Sequence, residues 1–176
     1  MTRHNCGYLA VDRIARASNA RWSNGAGAEA ASAIAEGELE GQPVLLAKPE
    51  TFMNHSGRAV RALCQSRDVP ASKLVVYLDE IALPLGALRI RERGGAAGHK
   101  GLQSVLDAVR PEGEDGEDGE DGEDVPRVRI GIRPENPPAD LADYVLAPFE
   151  PGEREVIDEV LERTVSATRM MLKEGI

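Results

Sequence analysis

Leu74-Val75-Val76-Tyr77-Leu78-Asp79, then Leu88-Arg89-Ile90-Arg91, the glycine-rich run Gly94-Gly95-Ala96-Ala97-Gly98-His99-Lys100-Gly101 and the stretch 102–109 decide the fold. Residues 74–78 form a β-branched and aromatic run ended by an acidic pair, which predicts a strand, and 88–91 predicts a second. Leu102, Val105, Leu106 and Val109 fall at i, i+3, i+4 and i+7, so one helical face is apolar and the glycine-rich loop delivers the chain into a helix N-terminus. Beyond it Val128, Ile130 and Ile132 alternate with Arg129 and Gly131, the period of a strand.

The same pattern extends upstream and downstream. Residues 43–48 (PVLLAK) read as a strand, and 33–39 pair with it across a turn at 40–43. Helices are expected over 5–17, 55–67 and 153–173, the last carrying Ile157, Val160, Leu161, Val165 and Leu172 on one side. Strands interleaved with helices predict a three-layer α/β/α domain, α/β in class, with a mixed, mostly parallel central sheet.

A chain of 176 residues has room for one domain, 1–176, and with 3% aromatic residues its core must be built from Ala, Val, Leu and Ile. No apolar run approaches the roughly 18 residues of a membrane span, and MTRHNCGYLAVDR lacks the apolar stretch of a secretory signal. A cytoplasmic location off the membrane is the expectation, an organellar one if an addressing segment precedes residue 1. The formal net charge of −9 argues against a nucleic-acid partner only until it is mapped: segment 111–124, PEGEDGEDGEDGED, holds nine acids and no base. Without it 21 acidic residues face 21 basic ones, so the bulk charge describes an insert, expected as a disordered surface loop. Cys6 and Cys64 have no close cysteine partner and read as buried apolar residues.

His4, His55 and His99 have no second ligand-type residue at metal spacing, so no metal and no cofactor are expected. Ser56 lacks the first glycine of a nucleophile elbow, and Lys100 is followed by Gly101 rather than the Ser or Thr of a phosphate-binding loop. What remains are polar stretches at element junctions: 2–5, 51–54, Asp79-Glu80 and 98–101. Such junctions gather at one rim of an α/β sheet, where Asp79 could hold an imidazole from another loop. Each has a plainer explanation. His4 could be a surface residue, Asn54 a helix N-cap, Asp79 a turn cap, and the arginines a solvated strand face.

Five stretches, TRHNCGYLAVD, KPETFMNHSGRAV, LDEIALPLGALRIRERGGAAGHKGLQSV, PRVRIGI and DYVLAPFEPGE, follow in order the motif series of bacterial-type peptidyl-tRNA hydrolase, and the chain resembles that family over nearly its whole length apart from the acidic insert. The resemblance implies a peptidyl-tRNA hydrolase-like fold and hydrolysis of the ester joining a peptide to tRNA. It implies His4 as the general base that activates water and Asp79 as its orienting carboxylate. It implies Met53, Asn54, His99 and Lys100 at the substrate, and Arg91 and Arg129 on the tRNA 5′ phosphate, with Arg89, Arg93, Arg127 and Arg133 thickening the patch. Peptidyl-tRNA is then the partner, with no membrane, and the protein a monomer.

The match departs from the family pattern at three points. Family members begin with a strand and an NPG segment that supplies an active-site asparagine, whereas Met1 here directly precedes Thr2. The expectation is therefore a sheet lacking the family's first strand, with neighbouring edges unpaired. The chain also stops short of the usual C-terminal tail, and Lys100 stands where an asparagine is commonest. Three outcomes are to be separated: an active esterase, a non-catalytic tRNA- or RNA-binding paralogue, and an inactive truncated product.

Overall fold

Among the described residues six strands and five α-helices follow one another as β1 (Arg21–Asn24), β2 (Ser32–Leu39), β3 (Gln42–Pro49), β4 (Val76–Pro84), β5 (Leu88–Arg91) and β6 (Arg127–Arg133), with α1 (Cys6–Ala17) before β1. α2 (Ser56–Arg67) lies between β3 and β4, α3 (Lys100–Val109) between β5 and β6, and α4 (Leu141–Leu146) and α5 (Pro151–Glu174) close the chain. This computed structural model describes residues 2–110 and 125–175, and the expected acidic loop at 111–124 lies outside the described residues.

The strands form two three-stranded sheets, in the orders β1-β2-β3 and β4-β6-β5. β4 and β6 run parallel, while the β1–β2, β2–β3 and β5–β6 ladders are antiparallel. The expected α/β class with a mixed sheet is what folds, but "mostly parallel" is corrected, and so is a single sheet. Three of the five strand-to-strand connections contain no α-helix, and a short link returns the chain antiparallel, whereas a parallel return needs a crossover. The β2–β3 turn shows the mechanism: Glu40 and Gly41 both take positive φ, 53° and 74°, and Leu39 pairs with Gln42, so the turn is tighter than the 40–43 expected. Among the described residues β1, β3, β4 and β5 each have a strand on one side only.

Three layers form around β4-β6-β5. On one face Ile130 and Ile132 pack with Cys6 and Ala10 of α1 and Ile157, Val160 and Leu161 of α5. On the other face Leu78 packs with Leu102 and Leu106 of α3, Ala96 and Val125. α1 also crosses to the second sheet, where Ile14 and Ala15 meet Ala35, Leu39 and Leu46. Tyr77 touches both α1-side clusters, and its hydroxyl lies 2.9 Å from Thr168 Oγ1 of α5. Burial pushes that phenol up to about 12. Cys6 is fully buried as expected, whereas Cys64 is only half-buried on α2.

Two close approaches set the helices that carry the polar junctions. At Gly7 a side-chain Cβ would meet the Tyr77 carbonyl oxygen at 2.2 Å, so α1 lies directly on the β4 backbone. At Gly57 a Cβ would meet the Ser104 carbonyl oxygen at 1.8 Å, and Gly57 N donates to Ser104 Oγ at 3.0 Å, joining α2 to α3. Only glycine permits backbones this near.

Candidate active site

Residues 3–5 form a single 3-10 turn ahead of α1, tied at Thr2, whose N–H donates to Asn5 Oδ1 at 2.9 Å. Arg3 anchors the turn. Its guanidinium is 3% exposed and donates to the carbonyls of Tyr144, Ala147 and Pro148 at 3.4, 3.3 and 2.8 Å and to Glu153 Oε2 at 2.5 Å. It also stacks on Tyr144, 4.0 Å from the ring centre. Glu153 accepts in addition from Glu150 N at 2.8 Å, closing the N-terminal turn of α5.

The next side chain, His4, therefore points at β4. Its Nδ1 lies 2.8 Å from Asp79 Oδ1 and 3.0 Å from Oδ2, with Asp79 almost wholly buried and His4 a quarter exposed. Burial alone would push the Asp79 carboxyl up, but hydrogen bonds and positive charge from His4 and His99 outweigh it and hold it below its usual range. An ionised carboxylate only accepts, so Nδ1 of His4 carries the proton and Nε2 keeps its lone pair for solvent or substrate. The same bond to Asp79 raises the His4 pKa against the lowering effect of burial.

His99 arrives from the other side. It is the N-cap of α3, with Nδ1 accepting from Leu102 N at 3.1 Å, which places its remaining proton on Nε2. That Nε2 is buried, lies 3.6 Å from Asp79 Oδ1, and has no nearer partner among the described residues. The His4 and His99 rings stand 5.4 Å apart. Ligand atoms of His4, Asp79 and His99 all lie within 4.8 Å of one another, a spacing that a cation could use. The tautomer argues otherwise, since a metal needs the lone pair that His99 Nε2 lacks while Nδ1 caps the helix.

Met53 and Asn54 lie in a single 3-10 turn before α2 that packs against α3. Met53 Sδ sits 2.4 Å from where a Cβ on Gly101 would be, so the Met53 side chain covers the first turn of α3 beside His99. The suggested capping role of Asn54 is not seen. His55 occupies the cap position of α2 without a side-chain bond, and among the described residues the Asn54 amide makes no hydrogen bond. Lys100, exposed, is the first residue of α3.

The arginines divide into two groups. Arg89, Arg91 and Arg93 are exposed on and just beyond β5. Arg129, opposite Arg89 in the ladder, is 11% exposed, and its guanidinium donates to Glu80 Oε2 at 2.5 Å and Gly95 O at 3.0 Å. Arg127, expected in the exposed patch, is fully buried and donates to Gly94 O at 2.5 Å, which corrects that expectation. Alternation along β6 rightly put both arginines on one face, but that face is covered by the glycine-rich loop. Arg3 and Glu80 lie in polar stretches that the sequence singled out, 2–5 and Asp79-Glu80, but neither was given a role of its own. The signal for Glu80 was present, because adjacent acids on a strand must face opposite sides.

The chain matches the family described as "Peptidyl-tRNA hydrolase" over residues 1–176. It is similar to peptidyl-tRNA hydrolases of Gloeobacter violaceus, with 38% identity over 99% of this chain and 82% of the relative, and of Roseiflexus castenholzii, with 41% over 99% and 76%. The Chloroflexus aggregans protein of the same name is 41% identical over 99% of this chain and 86% of its own length. The fold is similar to the crystal structure of peptidyl-tRNA hydrolase from Acinetobacter baumannii, with TM-score 0.82, 24% identity, and coverage of 98% of this chain and 81% of the other.

Proposed function

The chain belongs to the peptidyl-tRNA hydrolase family, and from that premise we propose that it cleaves the ester between the C-terminal carboxyl of a peptide and the ribose at the 3′ end of tRNA, freeing tRNA for reuse. The observation that carries this is the 2.8 Å contact between His4 Nδ1 and Asp79 Oδ1, which leaves His4 Nε2 as a base facing outward.

In the reaction His4 Nε2 takes a proton from water as the water oxygen attacks the ester carbonyl. Asp79 holds the ring and stabilises the imidazolium that forms. The tetrahedral intermediate collapses by breaking the bond to the ribose oxygen, which receives the proton from His4. No covalent nucleophile is required, because an alkoxide leaves more readily than an amine. Asn54 and Met53 would hold the peptide end, the amide both donating and accepting, while Lys100 at the start of α3 donates to substrate oxygens and His99 sits beside Asp79. Arg91, exposed on β5, would meet the tRNA 5′ phosphate, with Arg129 as the second basic residue behind it. The protein acts as a monomer on peptidyl-tRNA in the cytoplasm, and no described helix is long and apolar enough to cross a membrane.

The test is cleavage of a peptidyl-tRNA in water enriched in oxygen-18. Label in the released peptide carboxylate, with none in the tRNA, supports direct attack by water on the carbonyl. Tight tRNA binding without release of peptide would instead favour a binding paralogue.

A further inference from the structure

Met53 and Asn54 stand just ahead of α2, and His99 and Lys100 stand at the head of α3, so the proposed substrate groups come from two separate helices. α2 begins without a cap of its own. His55 at its cap position makes no side-chain bond, although the N–H groups of a first helical turn have no acceptor within the helix. One of them, Gly57 N, is met from outside: it donates at 3.0 Å to Ser104 Oγ, one turn into α3. A side chain of α3 thus caps α2.

Water cannot take over this contact. Gly57 is buried, and a Cβ on it would overlap the Ser104 carbonyl and stand 2.8 Å from Ala108 Cβ, so the helices touch with no space between them. Short bonds carry the register from there to the site. Ser56 Oγ donates to Met53 O at 2.9 Å and fastens the turn of Met53 and Asn54 to α2. On α3, Gln103 N donates to His99 O at 3.0 Å and Leu102 N to His99 Nδ1 at 3.1 Å, fastening the imidazole to the turn that holds Ser104. Among the described residues the Asn54 amide makes no hydrogen bond, so its place relative to His99 is set by how the two helices are held.

We propose that Ser104 is a positioning residue: its bond to Gly57 N holds α2 and α3 in the register that presents Met53 and Asn54 to the same ester that His4 hydrolyses, with His99 across from them. Ser104 touches no reacting atom. A slip between the helices moves the peptide end of the substrate relative to the base and leaves the phosphate grip of Arg91 and Arg129, on β5 and β6, where it is. The inference rests on the esterase proposed above.

Ser104→Ala tests it, since it removes the acceptor and leaves a buried N–H unpaired. Gln103→Gly is the control: the side chain is exposed on the same turn, and its loss weakens α3 by about as much as a lost cap without touching α2. For each, kcat on peptidyl-tRNA, affinity for deacylated tRNA and the NMR signal of the Met53 methyl, assigned through Met53→Leu, would be measured. Ser104→Ala should lower kcat about tenfold, the scale on which small misplacements act, and displace or broaden the methyl signal, with tRNA affinity within about twofold of wild type. Gln103→Gly should keep the wild-type kcat and signal. Unchanged kcat in Ser104→Ala would overturn the proposal, as would an equal loss of kcat in Gln103→Gly, the mark of general weakening, or a loss of tRNA affinity as large as the loss of rate. If Ser104→Ala does not fold, Ser104→Cys decides, its thiol being a weaker acceptor: a partial loss of kcat supports the register and a wild-type kcat overturns it. If the wild-type chain proves to cleave no ester, the proposed function fails, and the Met53 signal alone judges the register, displaced in Ser104→Ala if the proposal holds and unmoved if it does not.

Discussion

Gly7 of α1 lies so close to Tyr77 of β4 that a Cβ there would stand 2.2 Å from the carbonyl oxygen of Tyr77. This contact is one turn after His4 and two residues before Asp79, so it fixes the distance across which the proposed base and its carboxylate meet. Gly7→Ala must lift α1 off β4. We expect a loss of about 1–3 kcal/mol in stability, as for other overpacked positions, and a fall in kcat of about tenfold or more from the displaced imidazole. Urea unfolding and initial-rate kinetics measure the two, and a fully active Gly7→Ala would show that the helix position is not what aligns the pair.

The pH dependence follows from the His4–Asp79 bond. The base works only when neutral, and Asp79 raises the His4 pKa above its ordinary value, so kcat/KM should fall as the pH drops through that raised value. In Asp79→Asn the raising bond and charge are lost while burial, which lowers the pKa, remains. The acid limb should then move to lower pH while the plateau drops by about 10²–10⁴-fold, because the ring is left in the wrong tautomer and its imidazolium unsupported. An acid limb that stays in place would detach it from His4.

His99 has two separable tasks, capping α3 through Nδ1 and facing Asp79 through Nε2. His99→Ala should cost about 1 kcal/mol of stability from the lost cap, whereas His99→Asn supplies a side-chain oxygen in its place and should cost less. Both remove the Nε2 proton, and both should lower kcat. Thermal unfolding beside kinetics separates the effects; a His99→Asn variant as active as wild type would reduce His99 to a cap.

Arg3 is a buried cation whose partner Glu153 is itself mostly buried. Arg3→Met should remove the guanidinium from that carboxylate and from the carbonyls of Tyr144, Ala147 and Pro148 and cost about 3–5 kcal/mol, the range for breaking a buried pair on one side. Denaturant titration gives the value, and a loss below about 1 kcal/mol would mean that the stacked rings of Tyr144 and Phe149 carry the anchor instead.

Much of this architecture was legible where the pattern is local. The stripe Leu102, Val105, Leu106 and Val109 gave α3, and the strand at 88–91 was read with its observed bounds. What escaped was short or non-local. β1 is four polar-leaning residues and α4 only six, too brief for a period to declare itself. Asp79 was read as the end of a strand, yet β4 continues to Pro84 through a register shift after Glu80, because pairing with β6 rather than local propensity sets its length. The burial of Arg3, Arg127 and Arg129 was invisible for the same reason: their partners, the carbonyls of residues 144–148, Gly94 and Gly95, lie 33 or more residues away. The pairing of His4 with Asp79 was legible only through the ordered motifs, since nothing within either stretch names the other.

The central claim is that His4, held by Asp79, activates the water that cleaves the ester. The direct measurement is the single-turnover rate of peptide release from peptidyl-tRNA by wild type and His4→Ala, with tRNA affinity measured in parallel. The account predicts a fall of at least about 100-fold in the rate for His4→Ala, with tRNA binding unchanged. Equal rates in the two proteins would contradict it.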